Sequence, residues 1–174
     1  VLPFHLYKTH IANPIEEHLN ECVHYAETNK TSNLHFTVSE AHRELFENAI
    51  AEVKEKVESE SGTQINISFS YQNKQTDSIA VDVKDNVFRS QKGSFIFRPG
   101  GHGALIENLN NIDADIIFIK NIDNVIQNNI DKTTLYKKAL AGILIELQQN
   151  VFQYLQEIDN EEIKEGNIKK IIDF

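Results

Sequence analysis

Asn33-Leu34-His35-Phe36-Thr37-Val38 and Gln64-Ile65-Asn66-Ile67-Ser68-Phe69-Ser70-Tyr71 are the two stretches whose reading decides the fold. Both alternate polar and apolar residues, the period-2 signature of a strand. A helix is expected between them, starting at Thr37 or Ser39. Thr37 and Glu40 have capping-box spacing. Leu45, Phe46, Ala49, Ile50, Val53 and Val57 then supply an inward face, and Gly62 a stop. The charged run EVKEKVESES, residues 52–61, reads as the solvated face of that helix.

Working outward, residues 14–28 follow Asn13, an N-cap type, with Pro14 at the first helical position. Ile15, Leu19, Cys22, Val23 and Ala26 form one helix face. Downstream, Ser78 to Val83 reads as a strand, and further short strands end at Phe95-Ile96-Phe97. A loop, Arg98-Pro99-Gly100-Gly101-His102-Gly103, leads into a helical stretch at 104–112. Asp115 to Lys120 is a nearly continuous apolar run, expected to be a strand buried on both faces. Residues 132–158 have helical periodicity, and residues 159–174 read as a polar tail or linker. Strands alternating with helices predict an α/β domain over 1–158, with an open, mostly parallel sheet flanked by helices.

Composition narrows the function. With 17 Lys+Arg against 26 Asp+Glu, the net charge is −9. That balance disfavours nucleic acid, whose phosphates need a basic footprint. The single Cys22 excludes an intramolecular disulfide and a cysteine-built zinc site within these residues. No apolar run reaches the roughly 18 residues that span a membrane. Val1-Leu2-Pro3-Phe4 lacks the basic start of a signal peptide, so a cytoplasmic location is expected. With no initiating Met, the chain is expected to be a piece of something longer.

In open α/β sheets, ligands bind beyond the carboxyl ends of the strands. Three groups are expected there. The first is the loop 98–103, where Gly100, Gly101 and Gly103 allow a ligand close to the backbone around His102. Helix N–H groups behind it would favour an anion or a polar ligand. The second is Asn121-Ile122-Asp123-Asn124, whose Asp123 stands where a divalent cation would be held beside phosphates. The third is the stretch 71–78 after the second strand, rich in side-chain donors and acceptors, Gln72 and Lys74 among them. Each also has a plain structural reading: a tight turn, an Asx-turn and a solvated loop. The histidines His5, His10, His18, His24, His35 and His42 lack metal-ligand spacing and read as surface or core residues, and Cys22 reads as core.

Together these segments resemble the sugar-1-phosphate nucleotidyltransferases, and in style the UDP-sugar pyrophosphorylases, whose Pro-Gly-His-Gly and Asn-x-Asp-Asn elements occur in this order. The segments LPFH, NLHFTVSEAH, QTDSIAVD, FRPGGHGALIENL and DADIIFIKNIDNV look like a bacterial domain-of-unknown-function family assigned to the same fold. The resemblance implies a nucleotide-diphospho-sugar transferase fold of the GT-A, Rossmann-like type, here lacking its first strand and glycine-rich phosphate loop. It implies that Gln72 reads the base, that Gly100, Gly101, His102 and Gly103 pack against it, and that Asp123 is the catalytic, Mg²⁺-holding carboxylate. Lys74, Arg98, Lys120, Asn121 and Asn124 would contact phosphate or sugar. The implied partners are a nucleoside triphosphate and a sugar phosphate. The implied reaction is metal-assisted nucleotidyl transfer in the full-length protein, the fragment itself being inactive. The alternative is a non-catalytic nucleotide or nucleotide-sugar sensor. An exposed sheet edge could also pair two copies.

Overall fold

The computed structural model describes residue 3 and residues 5–125, 127–159 and 165–174. The chain divides into two compact units, residues 1–128 and 129–174.

The first unit opens with a small antiparallel hairpin, β1 (His5–Leu6) and β2 (Ile11–Ala12). Helix α1 (Pro14–Tyr25) follows, and Asn13 caps it: its Oδ1 accepts from the Glu16 backbone N–H at 2.9 Å. A short strand β3 (Glu27–Thr28) turns back into β4 (Thr31–Val38). A 3-10 turn over Glu40–His42 then leads into α2 (Arg43–Ser61). The expected capping box is not formed; the Ser39 hydroxyl instead pairs with His42 Nδ1 at 2.8 Å. Gly62 closes α2 at φ +69°, a left-handed conformation that glycine adopts without steric cost. Strand β5 (Gln64–Tyr71) then runs parallel to β4 over eight residue pairs, Thr31–Gln64 through Val38–Tyr71.

The alternation in β4 and β5 gives this pair two unlike faces. Phe36, Val38 and Ile65 point inward and are buried with Ile15, Leu19 and Cys22 of α1 and Ile50 and Val57 of α2. Each fully buried aliphatic side chain contributes about 1.5–3 kcal/mol through area removed from water. Cys22 is core, as the helix face implies; its Sγ donates to the Leu19 carbonyl, and burial pushes its thiol pKa up. The opposite face presents Asn33, His35, Thr37, Asn66, Ser68 and Ser70.

After β5, residues 78–98 fold as an antiparallel meander. Strands β6 (Ser78–Ile79) and β7 (Phe97–Arg98) pair, and bridges join Val81 to Val87 and Arg89 to Phe95. Asp82 organises the first turn, its carboxylate accepting from the Lys84 and Asn86 backbone N–H groups at 2.7 and 3.0 Å. A 3-10 turn, His102–Leu105, leads into the five-residue helix α3 (Ile106–Asn110).

The expected open, mostly parallel sheet flanked by helices, of the GT-A, Rossmann-like type, is overturned. The described strands form separate sheets of two, three and two strands, and β4–β5 is the one parallel ladder among them. The physical reason lies in the alternation itself. A parallel sheet covered by helices on both faces needs apolar side chains on both, whereas every second residue of β4 and β5 is polar. The run 115–120, expected as a doubly buried strand, joins no ladder. Ile117 and Ile119 are exposed, and the segment is fastened by side chains to α1 rather than by a backbone ladder.

The second unit is helical, with α4 (Ile130–Asp159) and α5 (Glu165–Asp173), the latter inside the stretch read as a tail. Asn167 Nδ2 donates to the Glu157 carboxylate at 3.0 Å, and Tyr154 and Phe174 meet edge to face at 5.4 Å. Leu140, Ile143, Leu144 and Leu147 of α4 are exposed.

Candidate functional site

The carboxyl ends of β4 and β5 hold the first group of expected site residues. Gln72 leaves β5 and donates from Nε2 to Thr76 Oγ1 at 2.9 Å. Thr76 belongs to a 3-10 turn over Lys74–Thr76, which Asn73 caps by accepting from the Gln75 N–H at 3.0 Å. Thr76 Oγ1 in turn donates to the Asn73 carbonyl at 2.6 Å. This chain of bonds fixes the Gln72 amide.

The glycine loop arrives at the same place. A Cβ built on Gly100 would stand 2.6 Å from the Thr76 carbonyl oxygen and 3.4 Å from Gln72 Nε2. Only glycine fits so close a backbone approach. Gly101 and Gly103 have open space around them, and His102 is exposed at the start of its turn. Helix α3 ties the loop back to the strand: Asn108 Nδ2 donates to Ser70 Oγ and to the Tyr71 carbonyl, both at 2.9 Å. Arg98 is exposed on β7. Lys74 Nζ lies 3.9 Å from Glu40, and Arg43 donates to the Tyr71 hydroxyl at 2.8 Å.

Asn121, Asp123 and Asn124 belong to a different group, packed along α1. The Asn124 N–H closes a turn on the Asn121 carbonyl at 3.2 Å. His18 Nε2 lies 3.2 Å from the Ile122 carbonyl, and an imidazole N–H there donates to it. Lys120 Nζ stands 3.6 Å from the buried Glu21 carboxylate, and Phe118 meets Tyr25 edge to face at 4.8 Å. Asp123 is exposed. Among the described residues, no hydrogen bond or ion pair joins it to Gln72 or to the glycine loop. Lys120 neutralises Glu21 from a half-buried position.

Sequence reasoning missed the polar side of α1. Glu17 and Glu21 are buried, with His18 between them. Gln127 secures the start of the helix by donating its side-chain amide to the Glu17 carbonyl at 3.0 Å and its backbone N–H to the Tyr7 hydroxyl at 3.1 Å. Burial, reinforced by the neighbouring Glu17 carboxyl, pushes the Tyr7 phenol up to about 12. Burial and Glu21 push the Tyr25 phenol up as well. Burial holds His18 below the usual imidazole value. The available signal was the spacing: Glu17, Glu21 and Tyr25 recur every fourth residue on one face.

The polar face of β4–β5 was also missed. His35 sits between two serines, with Nδ1 2.7 Å from Ser68 Oγ and Nε2 2.8 Å from Ser70 Oγ. Thr37 Oγ1 is 3.1 Å from Ser70 Oγ, and Asn66 Nδ2 donates to Asn33 Oδ1 at 3.0 Å. Desolvation lowers the His35 pKa, which keeps the ring neutral at pH 7.

The class these elements define is a mixed α/β domain built on one parallel strand–helix–strand unit, with a glycine loop closing over the strand end. All of it, residues 1–174, matches the family described as a domain of unknown function (DUF4301), and the chain belongs to that family. No curated protein and no solved structure matches it. No helix among the described residues is long and apolar enough to cross a membrane.

Proposed function

We propose that this chain carries the nucleotide-reading part of a nucleotidyltransferase that joins a nucleoside triphosphate to a sugar phosphate. The observation carrying the reading is the meeting of Gln72 and Gly100 at the carboxyl end of β5, from positions 28 residues apart (100 − 72). Thr76 holds one N–H of the Gln72 amide. The remaining N–H and the carbonyl Oε1 then present a donor and an acceptor, the pattern that reads a base edge. Gly101 and Gly103 leave room for a flat ring beside His102.

The reaction is attack by a sugar-phosphate oxygen on the α-phosphorus, with pyrophosphate leaving. Positioning and charge neutralisation do most of that work. Asp123, which is exposed and belongs to the group along α1, would be the one carboxylate offered to Mg²⁺. One carboxylate completed by phosphate oxygens is a usual environment for this cation. No cluster of three His, Cys, Asp or Glu among the described residues offers an all-protein metal cage. When bound, Mg²⁺ neutralises the phosphate charge. Asn121 and Asn124 flank Asp123, and Lys74 and Arg98 supply cations near the loop.

The test is titration calorimetry of the chain with nucleoside triphosphates and Mg²⁺, beside a pyrophosphate-release assay on the full-length protein with hexose 1-phosphates. Binding that Gln72→Ala weakens about tenfold, with turnover that Asp123→Ala abolishes, is the expected result. Binding without turnover would replace the enzyme by a nucleotide sensor. Neither binding nor turnover removes the reading.

A further inference from the structure

The polar face of β4–β5 carries a second arrangement, and its hydrogen bonds have one consistent direction. Asn108 Nδ2 lies 2.9 Å from the Tyr71 carbonyl, which only accepts, so the amide orientation is fixed and the same nitrogen donates to Ser70 Oγ. Ser70 therefore accepts from Asn108, and its own proton has its shortest partner in His35 Nε2 at 2.8 Å. An accepting Nε2 leaves the ring proton on Nδ1, where it donates to Ser68 Oγ at 2.7 Å. Nucleophile, base and the group that orients the base are thus bonded in sequence, the geometry that activates a hydroxyl.

We propose that Ser70 is a nucleophile toward carboxylic esters, with His35 as its general base and Ser68 as the positioning residue. The substrate class follows from the face itself. Asn33, Thr37, Asn66, Ser68 and Asn108 are uncharged, so the surroundings suit an uncharged ester rather than a phosphate. Ser70 and His35 are only partly buried and open to a ligand.

The step balances without a further reagent. Ser70 Oγ bonds to the ester carbonyl carbon as its proton passes to His35 Nε2. The C–O bond to the alcohol then breaks, and the alkoxide leaves with the proton from His35. Water attacks the acyl-serine, gives its proton to His35, and releases the carboxylic acid as Ser70 recovers its hydrogen. Asn108 and Thr37 hold Ser70 Oγ in position facing His35, and the Thr37 contact, the longest of the three at 3.1 Å, gives way to free the lone pair that attacks.

A fluorophosphonate probe reads the first half of this chemistry: an Oγ–P bond forms as the Ser70 proton passes to His35, the P–F bond breaks, and fluoride leaves. The expected result is a single phosphonyl adduct on the peptide holding Ser70, seen by mass spectrometry, and lost in Ser70→Ala. His35→Gln slows labelling at least about tenfold, the loss of a general base. Ser68→Ala slows it less, and Ser68→Thr restores it, which a loss of packing alone would not permit. Circular dichroism and urea midpoints confirm that each variant is folded. No adduct under conditions that fully label trypsin, an adduct that survives Ser70→Ala, or an unchanged rate in His35→Gln overturns the proposal. Nucleotide binding at Gln72 is measured separately, so the two readings fail independently.

Discussion

One face of the β4–β5 pair is sealed by two helices, and the other is lined with small polar side chains that bond to each other. Both faces come from the same sixteen residues, read alternately. On the sealed face Phe36 stacks on Phe69 with centroids 6.0 Å apart and meets Phe46 edge to face at 5.6 Å. On the open face the bonds run from Asn66 to Asn33 and from His35 to Ser68 and Ser70. The difference teaches where stability and chemistry reside. Apolar area removed from water gives large, shape-dependent energies, while a partly solvated hydrogen bond returns only about 0.5–1.5 kcal/mol net. A hydroxyl and an imidazole can therefore be placed on the open face at little cost to the fold.

The strongest way to break this comparison is to truncate both faces of one strand. Ile65 is fully buried at the start of β5. Ile65→Ala is expected to destabilise by about 2–5 kcal/mol, from lost transfer energy and the cavity left behind. Ser68→Ala, three residues along and facing outward, is expected to cost about 1 kcal/mol or less. Urea unfolding followed by circular dichroism measures both. Similar costs for the two would show that the outer face is also part of a packed layer.

Next in size is the glycine loop. Gly100→Ala drives a methyl group to 2.6 Å from a backbone oxygen of the 3-10 turn, and neither side is a flexible side-chain end. The expected cost is about 1–3 kcal/mol, as for overpacking elsewhere. The turn and Gln72 must then separate, so under the proposed function nucleotide affinity falls with it. Gly101→Ala is the control: its φ is −70° and nothing lies within 4 Å of an added Cβ. It is expected to be neutral or to stabilise by about 0.4–1 kcal/mol through the unfolded chain. Equal losses in the two variants would mean that the loop does not close on Thr76.

Local elements were legible because local chemistry determines them. Asn13 and Pro14 start α1, Gly62 stops α2, and β5 follows its alternation, while β4 begins two residues before the alternating stretch 33–38. The sheet was misread because an apolar run such as 115–120 has strand composition whether or not a neighbouring strand exists to bond it. The same alternation that located β4 and β5 argued against helices on both faces, and that inference was available from Asn33, His35, Asn66 and Ser68. Among the expected site residues, Gly100 meets Gln72 at the end of β5, whereas Asn121, Asp123 and Asn124 belong to a separate group along α1. Lys120 was legible only as a cation near a loop; its partner Glu21 lies about a hundred positions away on α1, and the pairing comes from the fold. The Ser68–His35–Ser70 row was invisible because its members lie 33 and 35 residues apart and meet only through strand register.

The smallest expected effect sets one histidine from each side of the sheet against the other. His18 packs edge to face against Phe36 on the sealed side, with Glu21 and Lys120 facing it. His35 lies on the open side among neutral hydroxyls. Burial lowers both pKa values below 6.5 in the folded protein. As pH falls through 6.5, the unfolded chain takes up these protons first, so it binds more protons than the native state and stability declines. The decline ends once pH drops below the lowered native values, and above pH 7 the curve is flat with respect to both groups. Urea midpoints measured from pH 7.5 to 5 should therefore fall, after subtraction of the carboxylate contribution at the acid end. His18→Gln, which can still donate to the Ile122 carbonyl, is expected to flatten the slope more than His35→Gln, because desolvation is deeper on the sealed face. A slope carried mainly by His35 would mean that the polar row is the better shielded of the two, and the contrast between the faces would reverse.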